Sequence, residues 1–143
     1  AVRMRPGKPM AFGFLRGPGG RQVPHIGLPG NPVSALVVFE LFCRPAILKM
    51  LGRTCWERPR LQAVLEGDPI RNTDGRRVYA RVVVNRREGR YHARLAGPQG
   101  SHILTAMARA NGLAICPEGE PQVRPGQEVQ VMLLEGAEEV LAP

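Results

Sequence analysis

Aromatic side chains are scarce in this 143-residue chain, which has one Trp, two Tyr and four Phe. Proteins that hold single-stranded nucleic acid stack bases on aromatic platforms, and Trp56, Tyr79 and Tyr91 are not arranged as such a pair. Cysteine is scarcer: Cys43, Cys55 and Cys116 are odd in number and widely spaced, with no CxxC and no paired His nearby. That excludes a disulfide framework and a zinc site, and leaves buried thiols as the reading. His25, His92 and His102 lie too far apart for a ligand cluster, so no metal site is expected in this chain. No run of about 18 apolar residues occurs, and the Arg-rich start has no apolar stretch behind it, so neither a membrane span nor a signal peptide is supported. The expected compartment is the cytoplasm. Acids are nearly missing from the first 51 residues, where Glu40 stands alone.

Basic residues, in contrast, abound. Twenty Lys and Arg against twelve Asp and Glu give a formal charge of +8, which favours anionic partners without naming one. The excess has three readings: arginines on solvated strand faces, a small-anion site, or a basic nucleic-acid-binding β domain. The 43% apolar content is enough for a folded core.

The stretch from His25 to Ala35 organises the first segment. His25 to Leu28 reads as a short strand that Pro29-Gly30 cannot continue, Asn31 as a helix N-cap, and Pro32 as the first helical residue, where its missing N–H costs nothing. Such a junction is either a plain turn or a place where free N–H groups and the Ser34 hydroxyl meet an anion. Upstream, Pro6-Gly7-Lys8-Pro9 reads as a rigid turn and Met10 to Leu15 as a buried strand beside the strand at Val23 to Leu28. Val33 to Leu51 reads as a helix packed on a sheet, with Phe39 and Phe42 in the core and a kink or restart at Pro45. Two strands and one helix cannot cover both faces of a sheet. The chain is therefore expected to be a piece of a longer protein.

Gly52 to Arg58 reads as a linker. Beyond it, short β-favouring runs at 61–65, 78–85, 91–96, 112–116 and 128–134 alternate with turn signals, which predicts a small antiparallel barrel or sandwich. Ile103 to Ala110 reads as one inserted helix, with Ser101 as its N-cap.

Gly27-Leu28-Pro29-Gly30-Asn31-Pro32-Val33-Ser34-Ala35, preceded by Pro6-Gly7-Lys8-Pro9, resembles the paired motifs of the molybdopterin molybdenumtransferase family, which includes MoeA and the gephyrin E domain. Arg81 in Tyr79-Ala80-Arg81-Val82, then Gln99-Gly100-Ser101 and Ala108 to Leu113, follow in the order and approximate spacing of that family's C-terminal domain. The resemblance implies an α+β chain: residues 1–51 as the C-terminal portion of an α/β molybdopterin-binding domain, 52–58 as a linker, and 59–143 as a small all-β, barrel-like domain. It further implies molybdenum cofactor biosynthesis, in which the parent enzyme inserts molybdate into adenylylated molybdopterin (molybdopterin-AMP) with release of AMP, aided by Mg²⁺ bound mainly outside this chain. A homodimeric parent acting on small molecules is implied, with no nucleic acid and no membrane.

By the same resemblance, the molybdate- or cofactor-binding residues are Arg5, Lys8, Pro9, Pro29, Asn31, Pro32, Ser34, Arg81 and Ser101, with no catalytic residue in this fragment, which alone is expected to be inactive. Position 5 is Arg where the family often has Lys, which keeps the charge and changes the donor geometry. Each also has a plain reading: Arg5 as a frayed end, Lys8 and Arg81 as surface charges, Ser101 as a cap. A non-catalytic scaffold or partner-docking module is the alternative function.

Overall fold

The structure, a computed structural model, describes residues 1–134 and 138–142. Strand β1 (Met4–Arg5) leads through the Pro6–Pro9 turn into a hairpin of β2 (Ala11–Arg16) and β3 (Gln22–Gly27), joined across a 3-10 turn at Pro18–Gly20. Helix α1 (Pro32–Val38) follows, capped as expected: the Val33 N–H donates to Asn31 Oδ1 at 3.2 Å, and Pro32 opens the helix. Pro45 has no N–H and would crowd the carbonyl one turn back, and the chain answers with a wider turn. Phe39–Cys43 is π-helical, with the Arg44 N–H donating to Phe39 O, before α2 (Arg44–Met50) resumes.

After the 52–58 segment come β4 (Arg60–Glu66), β5 (Ile70–Arg71), β6 (Arg77–Arg87), β7 (Arg90–Leu95), α3 (Leu104–Arg109), β8 (Gly112–Cys116), β9 (Gln122–Val123), β10 (Glu128–Leu133) and α4 (Glu138–Leu141). The large strands run in the order β6-β7-β4-β10-β8, and β8 pairs back onto β6, closing a small barrel; β1 adds to β6 outside the ring. Closure removes the open edges that a sheet of this size would otherwise expose.

Alternation along β6 decides its two faces. Val78, Ala80, Val82 and Val84 point inward and pack with Ala63, Leu65, Val129 and Val131, while Tyr79, Arg81 and Val83 belong to the outer face. The first segment covers part of that outer face: Val37 and Val38 of α1 join Met4, Leu113 and Met132 in a second cluster. Complete burial of Val33, Val37 and Val38 contributes roughly 1.5 to 3 kcal/mol each.

Several expectations are corrected. The barrel is not wholly antiparallel, since β4 and β7 pair in parallel, and the two-residue pair β5–β9 was too short to show as a periodic run. The β2–β3 strands are neighbours but not buried: Phe12, Phe14 and Leu15 are more than half exposed. A short apolar run has the same pattern whether or not a second layer covers it. Phe39 is also exposed, and so is Cys55, while Cys43 and Cys116 are buried. Among the described residues, no helix is long and apolar enough to cross a membrane.

Candidate functional site

One cleft of about 590 Å³ lies where the first segment meets the barrel. Arg5, Lys8, Pro9, Ser34, Arg81 and Ser101 all line it, together with Arg71, Arg76, Gln99 and His102, and no Asp or Glu does so among the described residues. Pro29, Asn31 and Pro32 lie off its wall. They form the start of α1, which presents the buried Ser34 to the cleft.

The Pro6–Pro9 turn is pressed against α1. Gly7 has φ +112, and a Cβ there would come within 2.6 Å of Met4 Cε and 2.8 Å of Val38 Cγ2, so both conformation and space demand glycine. The Val2 N–H donates to Lys8 O at 3.1 Å and closes the turn. Lys8 is thereby placed on the cleft wall with its side chain exposed and in no ion pair among the described residues.

Arg81 is not a surface charge. It is 1% exposed although it sits on the barrel's outer face, because the 97–101 loop folds over it. Its Nη2 donates to Gly100 O at 3.1 Å and Pro98 O at 3.4 Å, while its Nε has no partner among the described residues. Burial, and then the neighbouring charge of Arg5, push the guanidinium below its ordinary pKa. Arginine keeps its charge through such a shift. The result is a buried cation bonded to carbonyls rather than to a carboxylate.

Gln99 holds that loop in place. Its Oε1 accepts the Arg81 N–H at 2.8 Å, and its Nε2 donates to Arg81 O at 3.1 Å and Gly97 O at 2.7 Å, so the amide pairs with the strand backbone as another strand would. Ser101 is not the N-cap of α3. The Ile103 N–H donates to Gly100 O, forming a turn before the helix, and Ser101 Oγ instead accepts from Asn31 Nδ2 at 3.2 Å.

At the rim, Arg5 is no frayed end. Its Nη1 donates to Thr73 Oγ1 at 2.9 Å and lies 3.8 Å from Asp74, which Arg76 also engages through Nε at 2.9 Å and through Nη2. The Arg76 hydrogen bonds hold the Asp74 carboxyl down to about 2, against the cost of its own desolvation. Arg71 and Arg76 flank Asn72-Thr73-Asp74-Gly75, which reads only as a turn in sequence, so their place in the site had no local signal.

The donor set does not suit Mg²⁺, which takes oxygen ligands. Among the described residues, no three of His, Cys, Asp and Glu gather together. Asp74 is occupied by two arginines, and Glu40 by Arg58, whose Nε donates at 3.0 Å.

Residues 63–134 match the sequence model described as "MoeA C-terminal region (domain IV)". The chain is 41% identical over 138 residues to "Molybdopterin molybdenumtransferase 1" of Mycobacterium tuberculosis, covering 93% of this chain and 32% of that protein. It is 31% identical over 132 residues to "Molybdopterin molybdenumtransferase" of Haemophilus influenzae, covering 91% and 31%. A solved structure of the molybdopterin biosynthesis MoeA protein from Pyrococcus horikoshii OT3 superposes with a TM-score of 0.67 at 28% identity, over 92% of this chain and 30% of that one. The chain thus spans about a third of the length of these relatives. With residues 63–134 forming the matched barrel region and the similarity running through the first segment as well, the chain belongs to the MoeA family.

Proposed function

We propose that this chain supplies the oxyanion part of the active site of a molybdopterin molybdenumtransferase, whose whole form inserts molybdate into adenylylated molybdopterin and releases AMP. The observation that carries the reading is the buried Arg81 guanidinium, unpaired with any carboxylate among the described residues, in a cleft lined by Lys8, Ser34 and Ser101 and by no acid. Burial of an uncompensated cation is costly. A tetrahedral dianion that accepts charge-assisted hydrogen bonds offsets that cost. The chain's role is then positioning and electrostatic stabilisation of molybdate and phosphate oxygens, with no nucleophile or general base of its own.

In this reading residues 1–51 are the end of an α/β molybdopterin-binding domain, 52–58 a linker and 59–143 the barrel domain, in a cytoplasmic enzyme. The carboxylates for Mg²⁺ belong to parts of the parent outside this chain. We also assign a homodimer to the parent, as the family resemblance implies. A single-protomer mass in sedimentation equilibrium would refute the dimer. The test of function is to load the full-length protein with adenylylated molybdopterin and molybdate and follow AMP. Molybdate-dependent release is expected from the full-length protein and none from residues 1–143. Absence of AMP with every divalent cation tried would overturn the reading.

A further inference from the structure

The contact between Asn31 and Ser101 crosses from the first segment to the barrel, and its direction is determined. Amide oxygen and nitrogen are told apart only by their partners. Here Oδ1 accepts the Val33 N–H at the start of α1, so the atom turned toward Ser101 is the donor Nδ2. A serine hydroxyl has one proton to give and two lone pairs. Asn31 uses a lone pair, and the Ser101 hydroxyl proton has no acceptor among the described residues, while Ser101 itself lines the cleft.

We propose that Asn31 is a positioning residue that sets the polarity of the Ser101 hydroxyl, so that Ser101 offers a proton, not a lone pair, to an oxyanion in the cleft. This rests on the oxyanion reading above and deepens it: the ligand class favoured is a fully deprotonated, acceptor-only tetrahedral anion. Asn31 itself lies off the cleft wall and reaches it through Ser101. Aspartate at this position would cap α1 as well as asparagine does. Being acceptor-only when ionised, it would draw the Ser101 proton onto itself and turn a lone pair toward the anion.

The test titrates the full-length protein calorimetrically with sodium molybdate, comparing Asn31 with Asn31→Asp in two backgrounds, Ser101 and Ser101→Ala. Where Ser101 is present, Asn31→Asp should weaken binding about tenfold or more with Tm unchanged, and where residue 101 is alanine, less than about threefold. Equal losses in both backgrounds would mean that the new charge acts on the anion directly, and no loss would mean that hydroxyl direction is immaterial; either result overturns the proposal. A second measurement needs no anion. With ¹⁵N-labelled asparagine, one Asn31 side-chain amide proton should exchange slowly and lose that protection in Ser101→Ala. Equal exchange in both proteins refutes the Asn31–Ser101 bond itself. Failure of the wild type to bind molybdate refutes the oxyanion reading instead, and the amide measurement then decides the role of Asn31.

Discussion

Replacing Gln99 with alanine removes three hydrogen bonds, two that tie the 97–101 loop to β6 and one, to Gly97 O, within the loop itself. Their losses are unequal. Arg81 O still accepts the Ala96 N–H at 2.9 Å, and Gly97 is half-buried, so its carbonyl can turn to water. The Arg81 N–H, however, sits in the middle of a buried strand segment and loses the acceptor that Gln99 Oε1 provides. An orphaned buried donor costs about 1 to 3 kcal/mol, and the two remaining bonds about 0.5 to 1.5 kcal/mol each before water recovers part of that. The expected loss is therefore about 2 to 4 kcal/mol in a urea titration at unchanged m. Gln99→Glu adds a sharper condition. At neutral pH its second oxygen would face Arg81 O and Gly97 O, two acceptors opposite a charge, so it should be no more stable than the alanine variant. Lowering the pH should restore part of the loss, because the protonated acid can again donate. A loss below about 1 kcal/mol with unchanged m, or a Gln99→Glu variant indifferent to pH, would refute the claim that this amide acts as a strand substitute.

Other perturbations follow from the same geometry. Arg81→Met keeps most of the buried volume, frees two loop carbonyls to water and removes a desolvated charge, so urea titration should show stability within about 1 kcal/mol of wild type. Molybdate affinity, read by calorimetry, should meanwhile fall about 10- to 150-fold, the equivalent of one charge-assisted hydrogen bond. A large stability loss with normal affinity would make Arg81 structural. Asp74 has a folded pKa depressed to about 2, so its stabilising effect is fully present above the unfolded value near 3.8 and is lost as pH falls toward 2. Asp74→Asn should therefore lower stability at neutral pH and lessen the decline between pH 4 and pH 2 in parallel thermal melts. Identical pH profiles for the two proteins would show that the carboxylate does not hold Arg5 and Arg76.

The parts of this molecule that sequence reasoning located are those whose cause is local or periodic. Asn31-Pro32 starts a helix because a cap and a fixed φ act within a few residues, and Pro45 widens a turn for an equally local reason. The inward face of β6 follows from Val78, Ala80, Val82 and Val84 at a period of two. Burial of Arg81 obeys no such rule. It sits on the outward register and is covered where the 97–101 loop returns across it, which no window around residue 81 records. The same asymmetry runs through the site. Residues that would touch an anion carry charge or hydroxyls, as Lys8, Ser34, Arg81 and Ser101 do, but among twenty Lys and Arg it is the resemblance of their motifs, not their type, that singles them out. The residues that aim them are neutral amides. Asn31 looks like an ordinary cap and Gln99 like a loop polar group, because one side chain's donor and acceptor are both committed to partners distant in sequence or to backbone. An amide's two ends do opposite work, so its role can be assigned only once both partners are known, and only one of Asn31's two, the Val33 N–H, lies next to it in the chain.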